Sequence, residues 1–443
     1  MSSTSPPSTG PVAGSSPEPP PGPRPATAAL VASPEVVATN LGEYLRAWGK
    51  RVRSGESGML PVVAGLVLIV IIFQSQSSKF LSAGNLANLT VQGAPYVLLG
   101  MAEVFVLLLG EIDLSIGYSA GIGAIIAVAL NAPPRNHGWF ISCVAALAVT
   151  TAIGAVQGLL ITRLRLPSFV VTLAGYLGLE GVLLFLVDRL GGASSGGTIA
   201  IPLSSILRDF DSTGNLSPAA GWVVLAVGVA VFAVATAFRD RRRAAAGLVA
   251  PPVALTALRI AAVAAAGVAV VAVCNINRGL RVPVRGVPWS VLIVLGVLVV
   301  WSFMLTRTRY GRYVYAVGGN AEAARRAGVR TDRIRLGAFA LAGTTAGLAG
   351  IVYASFLGSA SNNIPGGQLV LYAVAAAVIG GTSLFGGRGR MLHALLGGVV
   401  VATIYNGMGL LDLSAAAQDM VIALVLLAAV TVDAVARRGT VAR

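Results

Sequence analysis

Apolar residues fall along the chain in windows of about 20, each long enough for a helix to cross the roughly 30 Å hydrocarbon core of a bilayer. Lipid offers no partner to backbone N–H and C=O groups, so a spanning segment has to satisfy them internally, and a helix does so. The pattern predicts spans at 58–74, 91–110, 114–130, 139–161, 168–187, 220–238, 258–275, 288–306, 336–357, 367–386, 392–411 and 416–435. The fold class that follows is an all-α integral membrane protein, a polytopic bundle of about 10–12 transmembrane helices, some of them broken or re-entrant.

The flanks read differently. Residues 1–34 are mostly Pro, Ser, Gly and Ala, too poor in large apolar side chains to offset the entropy of ordering the backbone, and predict a disordered cytoplasmic tail. No basic stretch leads directly into an apolar one there, so nothing reads as a cleaved secretory signal. Over 35–57, Val36, Val37, Leu41, Tyr44, Leu45 and Trp48 recur at helical spacing with Arg46, Lys50, Arg51 and Arg53 among them, which predicts an interfacial amphipathic helix. The membrane domain then runs over 58–436, leaving 437–443 as a C-terminal tail.

Composition supports the membrane assignment and narrows the chemistry. Hydrophobic residues make up 56% of the chain and charged residues 11%, with a mean hydropathy of +0.81. The net charge of +15 sits in short arginine runs between apolar windows, the form of a topology signal and not of a nucleic-acid-binding face. Arg46 to Arg53, Arg163 and Arg165, Arg239 to Arg243, Arg307 to Arg335, Arg388 and Arg390, and Arg437 to Arg443 all fall on one side of the predicted bundle, which makes that side and both termini cytoplasmic. Arg278, Arg281 and Arg285 run against this scheme. Only Lys50 and Lys79 are lysines and neither completes a phosphate-cradling G-x-x-x-x-G-K-[ST] loop, so any ATP is bound by another chain. Cys143 and Cys274 lie inside apolar windows without metal-ligand spacing, and no H-E-x-x-H or G-x-S-x-G run marks an enzyme or a metal site.

Polar residues within the windows are the candidates for function. Gly110-Glu111-Ile112-Asp113-Leu114-Ser115-Ile116-Gly117 places two carboxylates where almost no loop separates two spans; such charge lines a cavity or caps a broken helix. Asp113 reads as the N-cap of a helix starting near Leu114, with direct substrate contact as the other reading. Ile379 to Gly387 carries four glycines with Thr382 and Ser383, suited to a re-entrant turn or to close helix packing. Glu180 and, two turns earlier, Thr172 face a polar pathway or a neighbouring helix. Asn406 and Asp412 suit an end-of-span cap. The candidate substrate pathway is Glu111, Asp113, Ser115, Thr172, Glu180, Thr382, Ser383 and Asn406.

The segment Asn320-Ala321-Glu322-Ala323-Ala324-Arg325-Arg326-Ala327-Gly328 has the chemistry of a short, rigid cytoplasmic helix: Asn320 to cap it, Glu322 at its positive end, arginines at its negative end and Gly328 to stop it. A weak echo aligns 106–130 with 376–400, as an internal repeat or as two glycine-rich stretches alike by chance.

These stretches, GEIDLSIG (110–117), LPSFVVTLAG (166–175), YAVGGNAEAARRAGV (315–329), AAVIGGTSLFGG (376–387) and NGMGLLDL (406–413), together resemble the ABC importer permeases of the ribose, xylose and galactose class, in order and over most of the chain. Glu111 after Gly110, and an added helix pair flanking the Arg-rich link 239–243, look like the D-xylose permeases. The resemblance implies a homodimeric permease core in the cytoplasmic membrane, a separate sugar-type ATPase that uses the ATP, and an extracytoplasmic binding protein that delivers the sugar. It implies no cofactor on this chain. Asn320, Glu322, Ala323, Ala324, Arg325 and Gly328 match its ATPase-contact loop. The Pro-rich tail has no counterpart in the family, and Glu180 stands where a basic or neutral residue is expected. Ribose or galactose in place of xylose, and a proton-coupled secondary transporter, are the alternative readings; against the last, His137 and His393 fall near loop ends and not along one path with an acid.

Overall fold

The computed structural model describes residues 59–191, 197–211, 213–248, 251–279, 283–362 and 364–441, with Gly42 and Arg46, both helical. The predicted tail over 1–34 and, those two residues apart, the interfacial helix over 35–57 lie outside the described residues. Helices α1 (Leu60–Gln76), α2 (Ala83–Leu107), α3 (Ile116–Asn131), α4 (Trp139–Arg163) and α5 (Ser168–Gly191) are followed by strand β1 (Thr198–Ala200) and the one-turn helix α6 (Ile206–Asp209). Then come α7 (Pro218–Ala245), α8 (Val253–Asn275), α9 (Trp289–Arg307), α10 (Arg309–Gly319), α11 (Ala321–Arg326) and α12 (Thr331–Leu357). Strand β2 (Ser359–Ser361), α13 (Gly366–Ile379), α14 (Met391–Leu410) and α15 (Ala415–Val441) complete the chain.

Among the described residues, eight helices are long and apolar enough to cross a membrane; α1, α3, α13 and the first part of α15 are shorter apolar helices. The protein is thus a polytopic all-α membrane protein. One predicted span needs correction: the window over 367–386 is not one helix, because α13 stops at Ile379 and the chain runs irregularly through Gly380 to Arg390. Gly381, Gly386 and Gly387 adopt positive φ there, a conformation a helix cannot contain.

The centre of the bundle is α2, α3, α4, α12, α13 and α14, and small residues set how closely these helices approach. A Cβ on Gly154 would lie 2.1 Å from the Phe339 carbonyl oxygen, and one on Gly350 would lie 1.8 Å from that of Ala120. Without a hydrophobic drive between helices in lipid, this close backbone packing holds them together. Helices α7 and α8 pack mainly on each other at the periphery; the Arg-rich stretch 239–243 expected to link them is not a link, because it forms the last turns of α7, which runs on to Ala245.

At one end of the bundle β1 and β2 pair antiparallel, Ile199 opposite Ala360, and α6 lies against the end of α12, where the Ser355 hydroxyl donates to the Arg208 carbonyl at 2.9 Å. This end also holds Arg278, one of the arginines that run against the charge scheme. Its guanidinium donates to the Cys274 carbonyl, to Asn215 Oδ1 at 3.1 Å and to the Gly286 carbonyl at 3.2 Å, so it clamps the α8–α9 connection and its charge serves a structural purpose. The opposite end carries α10 and α11.

Candidate substrate pathway and cytoplasmic contact helix

Two breaks in the helical ladder meet near the α10–α11 end. The first lies between α2 and α3, where Gly110 turns the chain with φ +74°. Asp113 and Ser115 beyond it are buried. Asp113 Oδ1 accepts from the Ser115 amide at 2.9 Å and from the Ser115 hydroxyl at 2.7 Å, while Ser115 Oγ accepts from Gln157 Nε2 at 2.6 Å. The Asp113 amide donates to Glu103 Oε1 at 3.3 Å, and the Thr172 hydroxyl donates to the Ile112 carbonyl at 3.2 Å. The N-cap reading of Asp113 is corrected: α3 begins at Ile116 with Ser115 in the cap position, so Asp113, two residues earlier, closes a turn on Ser115.

Glu103 and Gln157 are the members of this cluster that sequence reasoning missed. Each leaves one buried oxygen, Glu103 Oε2 and Gln157 Oε1, without a hydrogen-bond partner. The signal for Glu103 was present, a carboxylate inside an otherwise apolar window; nothing local marks Gln157.

The second break, Gly380 to Arg390, presses against the first. The Gly387 amide donates to the Leu108 carbonyl at 2.9 Å, and a Cβ on Gly318, at the end of α10, would sit 1.8 Å from the same oxygen. The Tyr315 hydroxyl on α10 donates to the Gly389 carbonyl at 2.8 Å. Thr382 and Ser383 are buried here; Ser383 Oγ accepts from the Phe385 amide at 3.1 Å, and Thr382 Oγ1 has no hydrogen-bond partner.

Glu111 points away from Asp113. Its Oε1 lies 3.1 Å from Arg335 Nε on the first turns of α12, with the two side chains 11% and 28% exposed. The N–H is not aimed at the oxygen, so the contact is an ion pair by charge proximity and not an aligned hydrogen bond. Arg335 was the other residue missed.

Next to this junction, α11 is a well-capped single helix. Asn320 Oδ1 accepts from the Ala323 amide at 2.9 Å, and Glu322 pairs with Arg326 at 3.1 Å and Arg325 at 3.6 Å. The helix ends in a Schellman motif: the Gly328 amide donates to the Arg325 carbonyl and the Val329 amide to that of Ala324, with Gly328 at φ +82°. Ala324 is the buried residue of α11, while Glu322, Arg325 and Arg326 are exposed.

Of the sequence candidates, the fold therefore gathers Asp113, Ser115 and Thr172 at the first break and Thr382 and Ser383 at the adjoining one. Glu180 lies elsewhere on α5, facing Tyr118, whose ring meets that of Tyr176 edge-on at 4.8 Å. Asn406 joins α14 to α2 through amides, donating to Gln92 Oε1 at 2.9 Å and accepting from Asn85 Nδ2 at 2.8 Å, which is a packing link between two helices. A cleft of about 570 Å³ between α4 and α5 is lined by apolar side chains such as Val149, Val156 and Leu179, with Gln157 as its polar member, and offers little to a polar solute.

The two breaks thus meet at one point, beside the capped helix α11. A family model described as "Branched-chain amino acid transport system / permease component" matches residues 85–430. The chain belongs to that permease family. Among its relatives, the xylose transport system permease protein XylH of Escherichia coli (strain K12) is 34% identical over 383 residues, 85% of this chain and 92% of that protein. The ribose import permease protein RbsC of the same strain is 30% identical, covering 84% and 92%, and its D-allose transport system permease protein AlsC is 28% identical, covering 83% and 89%. No solved structure matches. This permease is a multi-pass membrane protein whose relatives are transporter subunits.

Proposed function

We propose that this permease is the membrane subunit of an ABC importer for a monosaccharide, xylose in the first place, driven by ATP hydrolysed on a separate sugar-type ATPase and supplied by an extracytoplasmic binding protein. The observation that carries the reading is the 34% identity to a xylose transport permease across 85% of the chain, with ribose and allose permeases next to it. The doubly capped α11 supports a docking role for exposed Asn320, Glu322, Ala323, Arg325 and Gly328, with buried Ala324 seating the helix, because a rigid helix beside both breaks can pass a displacement into them. Both termini are cytoplasmic in this reading, and two copies of the chain form the core.

The test is uptake in proteoliposomes that contain the permease, its ATPase and the loaded binding protein. Xylose should enter only with ATP on the ATPase side, and uptake should survive a protonophore. Uptake that needs a proton gradient and ignores ATP would favour the secondary-transporter reading, and preferential uptake of ribose or galactose would move the substrate.

A further inference from the structure

Helix α13 has 14 residues and so rises about 21 Å, well short of the roughly 30 Å of a hydrocarbon core. The chain enters it from the β2 turn through Ile364, Pro365 and two glycines, held by rings from elsewhere: a Cβ on Gly366 would lie 2.5 Å from the Tyr118 ring and one on Gly367 2.6 Å from the Tyr176 hydroxyl oxygen. Irregular backbone at membrane depth persists where it is buried in protein or lines a water-filled cavity.

The helix has two faces. Leu369, Val370, Tyr372, Ala373, Ala376 and Ala377 are buried against the bundle, whereas Gly367, Gln368, Leu371 and Val374 face outward and Leu371 is 53% exposed. Polar groups flank the outward stripe on both sides. On α5, half-buried Tyr176 and Glu180 stand one turn apart. On α15, both carboxylate oxygens of Asp419 accept from Gln368 Nε2, at 3.2 and 3.0 Å, and Asp419 also faces the Tyr372 phenol. Carboxylates and a carboxamide around the outside of a helix too short to span the core are costly against lipid.

We infer that the outward stripe of α13, Gln368 included, with Tyr176 and Glu180 on one side and Asp419 on the other, lines the water-filled passage through which a polyhydroxylated solute crosses. The chemistry fits that class: carboxylates accept from sugar hydroxyls, a carboxamide both donates and accepts, and tyrosine adds a flat apolar face with a polar tip. The facing wall belongs to a second permease subunit, since lipid in that place would restore the cost. The inference rests on the sugar-permease reading for its solute but not for its water.

The two claims separate in one experiment. Cys143 and Cys274 are replaced by Ser, uptake of that background is checked, and single cysteines are placed at Glu180, Gln368 and Leu371, with Leu177 and Phe185 as controls; the controls lie on the outward face of α5, 64% and 58% exposed. A membrane-impermeant thiosulfonate reacts with a thiolate, which needs water, so the stripe should label at least about tenfold faster than the controls. Saturating xylose-loaded binding protein with ATP should slow the labelling of the stripe. Equal, slow labelling of Leu371→Cys and the controls overturns the passage. Fast labelling of the stripe in a permease that imports no monosaccharide keeps the water-filled passage and refutes the sugar reading. As a second readout, Glu180→Gln and Gln368→Ala should lower uptake while ATP hydrolysis stimulated by the binding protein persists; parallel loss of both at normal folded yield would make these residues structural and overturn their place in the passage.

Discussion

The Glu111–Arg335 pair ties the first break to α12 directly after α11, and its energetic weight can be worked out. Opposite unit charges 3.1 Å apart attract by about 5 kcal/mol at an effective dielectric constant near 20. Desolvation offsets much of that, because both side chains are largely withdrawn from water, and the misaligned N–H forgoes part of the hydrogen-bond energy. A coupling of about 1–3 kcal/mol remains, above the value for an exposed pair and below the cost of stranding a fully buried charge. The assay is a double-mutant cycle of Glu111→Gln, Arg335→Gln and the double variant, read by unfolding in detergent micelles. Each single change should destabilise, and the double should cost less than their sum. The charge swap, Glu111→Arg with Arg335→Glu, should recover part of the loss because proximity and not geometry carries the contact. Additivity of the two single effects to within about 0.5 kcal/mol would refute the reasoning.

Three further outcomes follow from the same structure. Asp211, in the connection after α6, is 1% exposed; burial pushes its carboxyl up to about 8, and neither carboxylate oxygen has a hydrogen-bond partner, although Ser290 faces it. The folded protein therefore holds a proton that the unfolded chain releases near pH 4, so stability falls as pH rises from about 4 to 8, by at most roughly 6 kcal/mol. Asp211→Asn should flatten that slope relative to the unmodified protein in thermal unfolding against pH; an unchanged slope would show that Asp211 ionises freely. Gly328→Val meets open space but must hold φ +82°, so it should weaken α11 by about 1–2 kcal/mol and lower ATPase-coupled uptake with folded yield preserved. Asp113→Ala removes the acceptor for two Ser115 donors and should cost about 1–3 kcal/mol, seen as lower folded yield with sugar preference unchanged; a shifted preference at normal yield would make Asp113 a ligand.

Some of this protein was legible residue by residue, because the physics involved is local. A bilayer obliges each crossing segment to satisfy its own backbone, so the apolar windows announced most helices without any knowledge of neighbours. The same holds for α11: Asn320 capping three residues ahead and Gly328 at positive φ are matters of spacing along one helix. The sequence was misleading where apolar composition continued past the end of a helix, as at Ile379, since lipid-compatible residues do not reveal that the chain has stopped being helical. Only the tertiary structure decided which polar groups meet. Gln157 reaches Ser115 from 42 residues away, and Arg335 reaches Glu111 from α12. Asn406 sits in an amide link with α2, whereas Gln368 and Asp419 meet on an outward stripe. Helices that are apolar on every side carry no periodic mark of the face that will be buried, so close approach through glycines, and not hydrophobic pattern, sets their pairing. The windows specified where most of the helices would lie; backbone contact between Gly318, Leu108 and Gly387 specified where two of the ladders break together.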